Sequence, residues 1–347
     1  MNDNVPELHR TLSITTVVEF DAPVTGMAFL ADGTLATGLG DGTVRLIGAV
    51  DKPVTVQAHA DGSAVLTLRA DPDGKSVLTG GDDGRLARTD RAGTTMTLAK
   101  FPGHQIDVLA VSAASGLRAV AAGRSVHVLD SAGRTVASSD DHPSTVRDLA
   151  FNPKGKRLAV AHYGGATVWS VTTFGRNAAR LKWTGSHLRI TWSPDGSTVL
   201  TSTQDTELHG WRVSDHQDMR MQGYPTKIYS LEWLMKPMTL LTSGADRVIG
   251  WRFTDGGPMG RPPLELGRGM RRVVTRVAVN PKQPIVAAGF DDGHVALYSL
   301  SDDAMIDSRT SARDSVEALA WSGDGARLAA GTRGGRIHVF ETPHQIS

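Results

Sequence analysis

The feature that most constrains this chain is a unit that recurs at nearly even spacing from one end to the other. Aligned on the apolar residue two before the first turn, the units fall on Phe29, Ala70, Val111, Phe151, Trp192, Trp233, Val279 and Trp321, at intervals of 41, 41, 40, 41, 41, 46 and 42 residues. The stretch from Val146 to Ser170, VRDLAFNPKGKRLAVAHYGGATVWS, shows the unit most plainly. A strand through Val146, Leu149 and Phe151 ends at a Pro-Lys-Gly turn, a second covers Leu158 to Ala161, and a Gly164-Gly165 turn leads to a third through Trp169. β-branched and aromatic runs bounded by turn formers read as antiparallel hairpins.

About 40 residues make one four-stranded sheet, and such a sheet cannot bury both of its faces alone. Stacking the units around an axis solves this and leaves only short edges. The fourth strand of each unit is expected between the aligned parts, at Val54–Gln57, Thr95–Ala99, Thr135–Ser138, Arg180–Trp183, Asp218–Met221, Leu264–Leu266 and Met305–Asp307. That leaves the eighth unit one strand short and Ile14–Phe20 without a sheet. Closure of a ring, with the N-terminal strand completing the last blade, uses every strand once. The expectation is an all-β closed propeller of eight four-stranded blades over residues 14–342, with flexible tails at 1–13 and 343–347. A seven-bladed ring with a degraded third unit, shortened around Arg124-Ser125, is the competing count.

The repeated pattern, V-x-x-L-A-F-x-P-D-G then L-A-T-G-x-x-D-G then V-x-L-W, resembles the WD-repeat family of β-propellers. The resemblance runs from about Thr16 to Thr342. No third strand ends in Trp-Asp, and tryptophan holds its place only at Trp169, Trp211 and Trp251. The resemblance implies a structural hydrogen-bond chain inside some blades, from a histidine through a hydroxyl and an aspartate to the tryptophan. His187, Thr201, Asp205 and Trp211 match it in the fifth unit, and His59, Thr79 and Asp83 match three places in the second. The sixth has Thr242, Asp246 and Trp251 but no histidine. A mid-strand hydroxyl between stacked sheets has no oxyanion hole and no access, so these sets read as mutually satisfied polar groups rather than catalytic triads.

Composition narrows the function classes. Thirty-seven basic against 36 acidic residues leave a charge of +1, which gives no bulk attraction to nucleic acid or anionic lipid. The absence of cysteine removes disulfides, thiolate metal sites and thiol nucleophiles. Of the twelve histidines, His59, His104, His142 and His187 recur at about one-blade spacing, too far apart to share a metal ion, and the closest pairs, His209 with His216 and His338 with His344, are weak candidates. The Asp-Gly pairs lack the alternating acidic ligands of calcium loops and read as hairpin turns. No catalytic residue, metal or cofactor is expected. An unbroken apolar run long enough to span a bilayer is missing, the first residues do not read as a secretory signal, and the Ala-, Gly- and Arg-rich composition suggests a bacterial, cytoplasmic protein.

The resemblance also implies that partners dock on the face carrying the loops between fourth and first and between second and third strands. Residues expected there are Asp107, Arg147, Arg189, Tyr229, Arg276 and Glu317, near the first strands, with Tyr163, Gln204, Arg247, Phe290 and Arg333 from the other loops. The longest interval adds a basic loop, Thr254 to Arg276, with Arg261, Arg268, Arg271, Arg272 and Arg276. Arginine forks suit an acidic partner. The expected function is a monomeric, non-catalytic scaffold for protein or peptide partners. An enzyme or small-ligand binder at the channel mouth, and a nucleic-acid-associated factor using the Arg261–Arg276 loop, are the alternatives.

Overall fold

The computed structural model describes residues 12–48, 52–254, 256–267, 271–300, 305–308 and 313–342. Its strands form a ring of antiparallel sheets around a central lumen. All but the last sheet run in sequence order, as from Val24–Phe29 through Leu35–Leu39 and Thr43–Ile47 to Val54–Gln57. Second strands are the most buried: Leu35–Leu39, Ser76–Gly81, Thr198–Thr203 and Ile285–Phe290 are covered along their whole length. Neighbouring sheets press on both faces there, so the strands read as continuous apolar and small-residue runs rather than alternating ones. Outer strands are half exposed, as Val54 and Val136 show.

The ring closes as the strand count requires. Ser13–Glu19 pairs antiparallel with Arg336–Glu341, from Ser13 opposite Glu341 to Glu19 opposite Arg336, with an irregularity at Thr15. The Thr15 hydroxyl donates to the Val339 carbonyl at 3.1 Å, and Arg336 pairs with Glu19 at 3.0 Å. Gly335, at φ +88°, takes the chain into this last hairpin; a β-carbon there would lie 2.0 Å from the Phe20 carbonyl oxygen. Leu12 is buried with Phe340, Leu328 and Ile285. The expected tail therefore ends earlier than residue 13, since Leu12 and Ser13 belong to the ring; residues 1–11 and 343–347 lie outside the described residues.

The expectation of eight separate four-stranded blades needs correction: among the described residues the hydrogen-bonded sheets number seven, six with four strands and one with six. The third unit is complete, with Leu109–Ser112, Leu117–Ala122, Ser125–Leu129 and Thr135–Ser139 in one sheet, so it is not the degraded one. The fourth and fifth units share the six-stranded sheet instead. Two 14-residue strands, Arg157–Ser170 and Ala179–Trp192, each run through two strand positions of the repeat. Arg157–Ser170 bends at Gly164 and Gly165 (φ +86° and +129°), and His162 Nε2 meets the Thr167 hydroxyl at 2.8 Å five residues on. Ala179–Trp192 pairs with Tyr163–Val168 through its first half and with Val199–Thr203 through its second, His187 standing opposite Thr203. The physical cause is the connection at Trp183–His187, which stays paired where other units have an open loop. This sheet sends two strands, Asp148–Phe151 and the Arg189–Trp192 end, to the lumen.

Tryptophans at the aligned anchor positions staple successive units. The indole N–H of Trp192 donates to the Ala150 carbonyl, that of Trp233 to the Thr191 hydroxyl and that of Trp321 to the Ala278 carbonyl, each at 3.0 Å and each one unit back. A second staple is ionic. The buried guanidinium of Arg118 bonds the buried carboxylate of Asp71 in the preceding unit, and Ser76 donates to the same carboxylate at 3.3 Å. Burial drives the Asp71 carboxyl upward and the Arg118 bond opposes it. Arg118→Ala leaves the buried carboxylate with Arg88, at 3.9 Å, as its remaining cation, so urea denaturation should show a loss of about 3–5 kcal/mol. A loss under 1 kcal/mol would show that Asp71 finds water or another cation.

Candidate functional site: lumen and mouth

Among the described residues, eight strands contribute side chains or backbone to the lumen. The cavity, about 570 Å³, is bordered at one end by Asp107, Arg189, Tyr229, Arg276 and Glu317. These residues stand at the starts of first strands, as expected. A groove of about 840 Å³ continues from that mouth across the fifth to eighth units, bordered by Arg189, Tyr229, Arg276, Glu317 and Arg333 together with Lys227 and Asp291. The expected docking residues are thus partly assembled: five of them, from four units, share one groove.

The charges at the mouth are tied together. Arg276 donates to the Glu317 carbonyl at 2.7 Å and to its carboxylate at 3.0 Å, while Arg333 reaches the other carboxylate oxygen at 2.8 Å. Arg247 pairs with Asp246 at 2.9 Å and Glu265 at 2.6 Å. Tyr229 is 44% and Tyr163 59% exposed, both presenting rings to solvent. Tyr163 lies on the second-to-third turn of the fourth unit, its N–H held by the Ser144 hydroxyl at 2.9 Å. Arg147, Asp107 and Gln204 are also exposed.

Two expectations fail here. Phe290 is fully buried at the end of Ile285–Phe290, packed with Leu234, Val274 and Tyr298, because its pleat position points between sheets rather than onto the face. The basic cluster does not form one patch either. Arg276 belongs to the mouth, Arg272 turns back to Asp292 at 3.4 Å with its guanidinium 5.7 Å from the Phe290 ring centre, and Arg261 reaches the Thr254 carbonyl at 3.3 Å. Arg271 is exposed, and Arg268 lies outside the described residues. Short-range pairing has dispersed a cluster that was dense only along the chain.

The internal polar chains are partly as expected. His59 Nδ1 meets Asp83 at 2.9 Å and its Nε2 meets the Thr79 hydroxyl at 3.0 Å. Burial would raise the Asp83 carboxyl, but bonds from the Ala60 N–H, His59 and Arg85 hold it well below the usual carboxylate range. In the fifth unit only the first link forms. His187 Nδ1 meets Thr201 at 2.7 Å, and its other nitrogen goes to the Trp183 carbonyl at 3.2 Å. Asp205 and Trp211 take no part, because the continuous strand brings Trp183 to the place the aspartate would occupy. Trp211 packs on His187 and His209 rings instead.

Sequence reasoning missed two other chains. The Trp169 indole N–H donates to His142 Nε2 at 3.0 Å, and Trp251 donates to the Tyr224 hydroxyl at 2.7 Å, which also meets Thr242 at 2.7 Å. Tyr224 stands in for the histidine absent from the sixth unit; its place before the first strand was the available signal. Also missed were Arg69 and Glu232, which line the same lumen.

Comparison with known proteins agrees with this architecture. Residues 13–47 and 51–87 match "WD domain, G-beta repeat", and residues 277–345 match "Anaphase-promoting complex subunit 4 WD40 domain". The C-terminal WD40 domain of Sif2 superposes with a TM-score of 0.78 at 15% identity, covering 96% of this chain and 99% of that one. THO complex subunit 3 of Arabidopsis thaliana is 22% identical over 59% of this chain and 66% of its own length. Telomerase protein component 1 of Mus musculus is 24% identical over 95% of this chain but 12% of that protein. COMPASS component SWD1 of Saccharomyces cerevisiae is 30% identical over 27% of this chain and 24% of its own length. The match thus spans less than two thirds of each of these relatives, and all three are eukaryotic.

Proposed function

We propose, from the premise that this chain belongs to the WD-repeat family of β-propellers, that it acts as a non-catalytic scaffold docking protein or peptide partners at the mouth of its lumen. The observation that carries the reading is the groove shared by Arg189, Tyr229, Arg276, Glu317 and Arg333. It offers both charge signs around an exposed tyrosine, the residue types that dominate interface hot spots. THO complex subunit 3 and COMPASS component SWD1 are by name parts of complexes, which supports a partner-binding role here. The Arg276–Glu317–Arg333 network preorganises the surface, lowering the ordering cost of binding. A cytoplasmic, monomeric protein that meets its partners through this face completes the reading. Dispersal of the basic loop favours proteins over nucleic acid, which needs a one-signed stripe.

The test is affinity purification from the native cell with the wild-type chain and a Tyr163→Ala/Tyr229→Ala/Arg333→Ala variant. Tyr163 and Tyr229 are exposed and Arg333 is a rim residue, so the melting temperature should stay within about 2 °C of wild type. The expected result is a co-purifying protein that the variant loses, with affinity down at least ~10-fold. Retention of the same proteins by the folded variant would move the docking site elsewhere.

A further inference from the structure

Cations crowded along the chain disperse in the fold, whereas cations far apart along it converge. The groove beside the mouth draws Arg189 from the fifth unit, Lys227 from the sixth, Arg276 from the seventh and Arg333 from the eighth, against the two carboxylates Asp291 and Glu317. Four charges against two leave two positive charges in excess, in a chain whose 37 basic and 36 acidic residues nearly cancel. The cations are also close-set. Burial lowers the Arg276 pKa, Glu317 opposes that, and repulsion from Arg189 and Arg333 adds to it, so both of these guanidiniums stand near the third.

The carboxylates in reach are already engaged. Glu317 takes Arg276 at 3.0 Å and Arg333 at 2.8 Å, and Asp291 accepts the Val273 N–H at 3.0 Å. Asp148, which lines the lumen with Arg189, accepts the Leu149 and Ile190 N–H groups at 3.0 and 2.9 Å. Arg189 and Lys227 are half-buried, and among the described residues neither makes an ion pair or a side-chain hydrogen bond. A partly desolvated cation gains from an anion set beside it. Between the charges the groove is apolar, with Pro225 and the Tyr229 ring exposed and Val273 half-buried. The rim keeps the same sign: Arg271 and Arg313, in the loops entering the seventh and eighth units, are exposed, while Asp314 is occupied by the Gly334 N–H.

Resting on the docking reading above, we propose that the occupant of this groove is an acidic linear peptide, a segment of a partner in which aspartate or glutamate adjoins apolar residues. Its carboxylates pair with Arg189 and Lys227, and its apolar side chains cover Pro225, Val273 and the Tyr229 ring. Charge complementarity selects the segment and the apolar contacts hold it. A nucleic-acid strand fits less well, because Asp291 and Glu317 oppose phosphodiesters and Tyr229 is the one aromatic ring among the described lining residues.

The probe is a phage-displayed library of random short peptides, selected against the full chain at low salt, with the winners resynthesised for fluorescence anisotropy. The expected winners carry Asp or Glu beside apolar residues and weaken as salt rises. Replacing those acids by Asn or Gln should weaken a winner at least ~10-fold, and so should Arg189→Gln/Lys227→Gln in the protein. Neither residue gives up a bond, so the fold should survive; Lys227→Gln alone, expected to cost ~3-fold or more, serves if the double variant melts early. Winners without acidic enrichment that still lose the variant overturn the acidic occupant and keep the docking face. Winners that bind the folded variants as tightly as wild type overturn both. No winner at all overturns the acidic peptide, while docking of a folded partner stays readable by co-purification. A single-stranded oligonucleotide that displaces every winner and binds more tightly assigns the groove to nucleic acid and overturns the proposal as well.

Discussion

A chain that begins at Asp21 should lose the closed ring and melt more than about 10 °C below the full-length protein. The deleted strand makes six registered backbone pairings with Arg336–Glu341 and brings Leu12 into the cluster around Phe340. Paired backbone contributes roughly 1 kcal/mol per bond and a buried leucine roughly 2 kcal/mol, a sum on the order of 5–8 kcal/mol. That is most of the net stability of an ordinary domain. Truncation also turns Arg336–Glu341 into an unpaired edge strand, which invites association. Circular dichroism melting with size-exclusion chromatography checks both consequences. A truncated chain that stays monomeric and melts with the full-length protein would show that the ring is held shut elsewhere.

Acid should act nearly as strongly, and well above the range where carboxylates titrate. Three buried histidines in the fourth and fifth units, His142, His187 and His209, have their pKa values lowered to about 4, chiefly by burial. The carbonyls of Arg124 and Trp183 and the Asp218 carboxylate pull the other way without prevailing. In the unfolded chain each titrates near 6.5. Between pH 6.5 and 4 the unfolded state therefore binds more protons, and stability falls as pH falls across that window, levelling below it. Each shift corresponds to roughly 3 kcal/mol, so the three together cost on the order of 5–10 kcal/mol at pH 4.

Structure explains the cost group by group. Protonating His142 Nε2 destroys the acceptor of the Trp169 indole, whereas both His187 nitrogens face acceptors, the Thr201 hydroxyl oxygen and the Trp183 carbonyl, so there it is burial that opposes the charge. His209 lies stacked at 3.9 Å on Trp183 and edge-on to Trp211, with neither ring nitrogen hydrogen-bonded, so its charged form has little but Asp218 at 3.3 Å to support it. Urea denaturation at pH 7 and pH 4.5 should show the fall, and His209→Leu should remove about a third of it while changing stability at pH 7 far less. A variant with the same pH slope as wild type would take His209 out of the account.

Much of this was legible from local chemistry. Turn residues and apolar spacing located the repeat, and Val54–Gln57, Asp218–Met221 and Leu264–Leu266 form as their own residues dictate. The surplus strand at the N-terminus and the missing one at the C-terminus required a closed ring, since an unpaired strand leaves its backbone groups without partners. His59, Thr79 and Asp83 meet because all three places lie within one hairpin and its entry loop. Other features depend on which strands become neighbours. The run through Trp183 joins two units into one sheet and replaces Asp205 as the partner of His187; Phe290 turns inward; Arg272 and Arg276 find Asp292 and Glu317. Periodicity and turn preference act over a few residues and can be read along the chain. That Arg69, Arg189 and Glu232 line one lumen depends on the curvature of the ring, which gathers residues 120 and 163 positions beyond Arg69 and exists only once every unit is in place.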